Sequence, residues 1–183
     1  MGSAYFEAGG AQSPLKVAWG QVNADVSIVV HGLFRNNAGG THYEAAVAST
    51  AGAMAFEIPF DATTFAPSNV PMYTGLAIAN LDTANSANIS CSAREGSGNL
   101  IDNGVTIPSI KPLGHWANYI FPALTGRRGT LDCVSTTKVG VTALRFLGTA
   151  AFSSLPVILE VKFQAPAGYV FTTVPPSCGL NAG

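Results

Sequence analysis

Hydrophobic and polar positions alternate in short runs along most of this chain, with turn-forming residues between the runs. Val26-Ser-Ile-Val-Val-His-Gly-Leu-Phe34 alternates loosely and is β-branched, the pattern of a half-buried strand. The same reading predicts strands over about 15–23, 26–35, 41–50 and 53–59, and again over 73–80, 87–95 and 104–110. Strands resume at about 129–135, 138–147, 151–163 and 168–173. Asp102-Asn-Gly104 is a turn signal ahead of the strand at 104–110. Asp61 to Pro71 carries turn and extended-chain signals and is the best linker candidate. Gly114 to Leu124 is the one helix candidate, because Trp116, Ile120 and Leu124 lie four apart. Pro122 limits it to a short helix or a single helical turn. Short strands spaced by turns predict an all-β fold: an antiparallel β-sandwich, Ig-like or jelly-roll-like, with that one short helix.

Two stretches match at a separation of about 111 positions. Ala18 to Arg35 runs parallel in pattern to Gly129 to Phe146, so that Val30 falls on Val141, Gly32 on Ala143 and Leu33 on Leu144. Each stretch reads as two strands around a polar turn. The second has a strand-rich region before it and the first has almost nothing. The expected organisation is a Gly, Ala and Ser-rich arm or tag at 1–14, a sandwich unit at 15–175 and a loose tail at 176–183. Within the unit, 15–60 is a partial repeat and 73–158 a full one, followed by C-terminal strands.

Composition narrows the class. Charged residues make up 10 % of the chain, against roughly 25 % in an average soluble domain. Hydrophobic residues make up 48 %, with 20 Gly and 11 Pro, yet no apolar run is long enough to span a bilayer. A surface of Ser, Thr, Asn and Gly leaves little electrostatic repulsion between copies, as in secreted or assembled proteins. The net charge of −1 and the lone basic pair Arg127-Arg128 argue against nucleic acid as a partner. Residues 1–7 carry no signal peptide, and the expected location is extracellular, with any export signal already removed.

Three cysteines are present. Alternation places Cys91 with Ile89 and Ala93 on one face, and Cys133 with Leu131 on another. The two could bridge within a sandwich core or remain as buried thiols, and the secreted-like composition favours the bridge. Cys178 is then left over near the C-terminus. No cysteine or histidine spacing suits a structural zinc, so neither a metal nor a cofactor is expected.

Thr74-Gly-Leu-Ala-Ile-Ala-Asn80, Val141-Thr-Ala-Leu-Arg-Phe146 and Phe152-Ser-Ser-Leu-Pro-Val157 together resemble a repeat of large exported proteins of Acidobacteria and related environmental bacteria. The resemblance covers about Thr74 to Ile158, and the earlier copy at 18–47 matches only its last third. It implies an extracellular β-sandwich module and supplies no catalytic residues. The cysteines depart from its pattern.

Candidate chemistry is sparse. His31 lies mid-strand and His42 opens the next, so the two could be cross-strand neighbours, with Glu44 or Asp25 to orient one; no G-x-S-x-G elbow accompanies them. Strand histidines on a polar face are the plainer reading. A glycosidase pair could be drawn from Glu44, Glu57, Asp61, Asp132 and Glu160, but no two are placed in one cleft by the sequence. Asn80–Ser86 and Asn99–Asn103 could offer oxygens to calcium, and both read better as turns. Trp19, Tyr43 and Trp116, with Tyr73 and Tyr119, could form a carbohydrate-stacking strip, although sandwich aromatics more often pack. Asn88-Ile-Ser90 fits a glycosylation sequon by pattern alone.

These features lead to a structural or interaction protein that associates with its own copies as an oligomer or polymer by strand addition, and not to an enzyme. A carbohydrate- or surface-binding adhesion module with a polysaccharide ligand is the alternative, and an unrecognised hydrolase comes third.

Overall fold

A computed structural model describes residues 3, 5–6, 18–38, 40–120, 122–148 and 151–159. The predicted strand at 168–173, residues 160–163 of the one before it, Cys178 and the 176–183 tail lie outside the described residues. Two strands, β1 (His31–Ala38) and β2 (Thr41–Ala48), form an antiparallel hairpin. Nine more follow: β3 (Ala53–Asp61), β4 (Thr64–Phe65), β5 (Val70–Asn80), β6 (Ala87–Glu95), β7 (Leu100–Ile110), β8 (His115–Tyr119), β9 (Arg128–Leu147), β10 (Ala151–Leu155) and β11 (Ile158–Leu159). All nine join one antiparallel network.

The network folds into two layers because β9 belongs to both. Its first half, from Gly129 to Val134, lies between β6 and β3. Its second half, from Val139 to Leu147, lies beside β5, and Ala143 to Leu147 also pair with β10. The first layer therefore runs β7-β6-β9-β3-β11 and the second β8-β5-β9-β10. A strand that bends from one sheet into the other is a recognised way to make a sandwich corner.

The predicted polar turn at 135–138 is that corner, not a break between two strands. Alternation continues straight through it: Leu131, Cys133, Ser135, Thr137, Val139, Val141 and Ala143 are all buried. The hydroxyls at the bend replace lost ladder bonds. Thr136 Oγ1 accepts from Asn88 N–H at 3.0 Å, and Thr137 Oγ1 donates to Asn80 Oδ1 at 3.0 Å. A second crossing occurs at Pro156, which cannot donate to a ladder. It separates β10, on the edge of the second layer, from β11, on the edge of the first.

Between the layers sit Phe56, Ile58 and Phe60 of β3, Leu76 and Ile78 of β5, Ile89 of β6, Ile107 of β7 and Leu131, Val139 and Val141 of β9. Each such side chain removed from water contributes about 1.5–3 kcal/mol. Because β3 is central to this core, residues 53–159 form one sandwich, and the predicted linker at 61–71 is a loop within it that includes β4.

Three local expectations change. Residues 115–119 are a strand rather than a helix, and the only helical turn there is a 3-10 turn at Pro122–Leu124. A spacing of four keeps residues on one side of a strand as well as of a helix, so Trp116 and Ile120 fit both. Asp102-Asn-Gly104 lies inside β7, where the register slips between Asp102 and Val105; the β6–β7 hairpin turns instead at Gly96–Asn99. The Asn-Gly pair makes a bulge, not the turn. Finally, residues 18–30 form no strand, and β1 begins at His31.

Cys91 and Cys133 form a disulfide. They are directly opposed in the β6–β9 register and each is 2 % exposed. The bridge therefore ties neighbouring strands of the first layer rather than linking the two layers.

Candidate interaction surface

The residues that carry the motif Thr74–Asn80 each have a structural task. Thr74 Oγ1 accepts from Asp61 N–H at 3.0 Å and donates to Asp61 C=O at 3.3 Å, tying β5 to the end of β3. Leu76 and Ile78 fill the core. Gly75 leaves room for the Phe146 ring, which a Cβ would approach to 2.8 Å. Asn80 is fully buried and is the hub of one end of the sandwich. Its Nδ2 donates toward the carbonyls of Asn85, Ile110 and Lys111 at 2.8, 3.0 and 3.1 Å. Its Oδ1 accepts from Asp82 N–H and Thr137 Oγ1, both at 3.0 Å.

The later motifs are equally structural. Arg145 Nη2 lies 3.3 Å from Asp61 Oδ2 and 2.8 Å from the Met72 sulfur. Leu155 and Val157, either side of Pro156, pack against the core.

The two outward faces differ in chemistry. The first layer shows Ser90, Ser92 and Arg94 on β6, Thr130, Asp132 and Thr136 on β9, and Glu57 on β3, a solvated face. The second layer shows Tyr73, Gly75, Ala77 and Ala79 on β5, Ala117 and Tyr119 on β8, Thr142, Leu144 and Phe146 on β9, and Phe152 and Ser154 on β10. Among the described residues, His115 is the only titratable group on it besides the two tyrosines. Four aromatics cross this face in contact: Tyr73–Tyr119 at 5.5 Å, Tyr119–Phe146 at 5.2 Å and Phe146–Phe152 at 5.8 Å between ring centroids. Their planes meet at 44°, 85° and 35°, the tilted and edge-on geometry of rings packing on one another rather than of coplanar sugar platforms. In the sequence Phe146 and Phe152 stand only as motif residues, and the register that sets Phe152 opposite Phe146 is what brings them into this strip.

The three leading ligand candidates are not gathered. Trp19 is half-buried, with its indole N–H donating to Leu113 C=O at 2.9 Å. Trp116 packs against the core from β8, and Tyr43 belongs to the β1–β2 hairpin. The chain matches no protein-family model, no curated protein and no solved structure.

The catalytic candidates are also scattered. His31 pairs with Ala48 and His42 with Asn37, so the two histidines stand at opposite ends of the hairpin. The expected cross-strand neighbourhood does not form, because the register sets Ala38 opposite Thr41 and so His42 opposite Asn37. Glu44 is engaged by Arg35 at 2.7 Å, and Asp25 lies in the unpaired segment before β1. Glu57 and Asp132 are directly opposed in register, but on the flat solvated face, with Arg94 Nε 3.3 Å from Asp132. Asp61 is held by Arg145 and by the N–H and hydroxyl of Thr63. Glu160 lies outside the described residues.

Of the calcium candidates, 80–86 is a turn capped by its own aspartate. Asp82 Oδ1 accepts the N–H groups of Ala84 and Asn85 at 2.8 and 2.7 Å. Those donors, Ala84 first, hold the Asp82 carboxyl below its ordinary value. Asn99 lies in the β6–β7 turn, while Leu100 to Asn103 run into β7. Among the described residues, no three His, Cys, Asp or Glu side chains gather as a metal site, and no helix is long and apolar enough to cross a membrane.

What the surface does offer is an exposed apolar run, of which residues 22–30 make no strand pairing. Val22, Val26, Ile28, Val29, Leu33 and Phe34 are 60, 67, 46, 83, 49 and 45 % exposed. The run leads into the hairpin, whose β2 lies against β10, the edge of the second layer.

Proposed function

We propose that this is an extracellular structural protein: a β-sandwich that associates with its own copies by strand addition. The observation that carries the reading is the β-branched, charge-free run from Val26 to Phe34, of which Val26–Val30 make no strand pairing and stay largely exposed in the single chain. Apolar β segments of this kind are templates for pairing with another chain. The low overall charge removes the repulsion that normally keeps copies apart. The Cys91–Cys133 disulfide and the resemblance to exported bacterial repeats both favour an oxidising, extracellular setting. Size-exclusion chromatography and negative-stain imaging across a concentration series test the reading. Oligomers or fibres that grow with concentration are expected; a strictly monomeric protein at high concentration contradicts it.

A further inference from the structure

Resting on that self-assembly reading, the geometry points to the two surfaces that meet: Val26–Val30 of one copy adds as a strand to the free edge of β8 in a second copy.

The acceptor follows from the ladder. Asn80 N–H donates to Gly114 C=O and Ile120 N–H to Thr74 C=O. In an antiparallel pair this assigns the even-numbered residues of β8 to the β5 ladder. His115 and Ala117 therefore direct their backbone N–H and C=O groups away from β5, along the edge of the second layer, while the outward N–H of Tyr119 donates to Asn118 Oδ1 at 2.8 Å. The edge of the first layer is less receptive. β7 carries a bulge between Asp102 and Val105 and a proline at Pro108, both of which blunt an edge. β4 and β11 are two residues each.

A notch of about 210 Å3 opens beside the β8 edge, lined by Pro108, Ile110, Gly114, His115 and Trp116. A strand laid along β8 would bring an aliphatic side chain to it. The run supplies one: Ile28, 46 % exposed and between two valine-rich flanks. Neither Val26–Val30 nor His115–Tyr119 contains an Asp, Glu, Lys or Arg, so the pairing strands desolvate no charge of their own, and Lys111, the one charged residue lining the notch, is exposed. The internal repeat indicates that such a run is stable as a strand. A shift of 111 sets Ile28 and Val30 on Val139 and Val141, which are 0 and 4 % exposed within β9.

In the single chain the run makes no strand pairing with its own β8, although Trp19, seven residues before it, donates its indole N–H to Leu113 C=O next to that strand. Val30 C=O accepts from Ser49 N–H at 3.0 Å, which holds it to the hairpin, and the hairpin lies against β10. From β10 to β8 is three strand spacings, roughly 14 Å. The hairpin end of the run and the β8 acceptor thus lie on different edges of the second layer. A heterologous contact of this kind propagates from copy to copy, as an open chain or a ring, instead of pairing two copies reciprocally.

The test places Ile28→Cys and Ala117→Cys in separate chains that also carry Cys178→Ser, mixes them, and oxidises them mildly. A covalent 28–117 dimer is expected from the mixture and from neither variant alone. In parallel, Ala117→Pro removes only an outward N–H, and Ile28→Asp places a charge on an exposed position. Each is expected to weaken association at least tenfold, with the circular dichroism spectrum and thermal midpoint unchanged. Wild-type assembly that persists undiminished in both variants without the cross-link overturns this pairing and leaves self-assembly standing. A cross-link that forms only within a doubly substituted chain at high dilution also overturns it. Wild-type chains that never associate remove the self-assembly reading itself.

Discussion

At the scale of single residues, Asn80 shows how a polar motif can serve the fold alone. Carbonyls from Asn85, Ile110 and Lys111 converge where a cation might be sought, and an amide nitrogen occupies the place. Replacing it by alanine leaves buried acceptors without donors, at about 1–3 kcal/mol for each group stranded. Asn80→Ala is therefore expected to lose at least about 3 kcal/mol in urea unfolding. Asn80→Asp is expected to be no better, since it sets a carboxylate against carbonyl oxygens. Asp82 gives a pH signature. Its carboxyl is held below the ordinary 3.8 by the N–H groups of Ala84 and Asn85. The stability it adds is complete above that ordinary value and is lost as pH falls through the lowered one. Amide exchange at Ala84 and Asn85 is expected to accelerate on acidification below pH 3.8, and Asp82→Asn is expected to flatten that response.

At the scale of elements, the alternating pattern reads well where a strand has one wet face and poorly where backbone geometry decides. β5 and β6 emerge from the sequence nearly at their true bounds, because Leu76, Ile78, Ile89 and Cys91 alternate with outward residues. The Ser135–Lys138 corner does not, because hydroxyl-rich residues serve a bend as well as a turn, and only the partners Asn80 and Asn88 distinguish them. β8 reads as a helix because a spacing of four suits both elements. The disulfide pairing follows from facing together with the secreted-like composition, though its placement between adjacent strands depends on the register. That bridge closes a separation of 42 residues, which the chain-entropy estimate values at about 4 kcal/mol. A Cys91→Ala/Cys133→Ala chain is expected to unfold at correspondingly lower denaturant, with its β-rich circular dichroism spectrum retained. Equal stability of the two forms would show that the bridge constrains nothing the sandwich has not already ordered.

At the scale of the whole molecule, one layer turns a charged face to water and the other an uncharged face of glycine, alanine and aromatics. Beyond the second layer's β10 edge, the hairpin carries an exposed apolar run, and the layer's other edge ends in β8, open at His115 and Ala117. No candidate site residue in the sequence announced this arrangement, because it depends on which edges the topology leaves open. The matching stretches 111 positions apart gain a physical meaning here. In the second copy the pattern is a central strand of the sandwich, and in the first its residues 26–30 have no strand pairing. Sedimentation velocity of the wild-type chain and of Ile28→Asp, over a hundredfold range of concentration, tests self-association through this run most directly. The account predicts a wild-type distribution that moves to larger species as concentration rises, while Ile28→Asp stays monomeric. A single monomer boundary for the wild type throughout, or identical growth in both proteins, would contradict it.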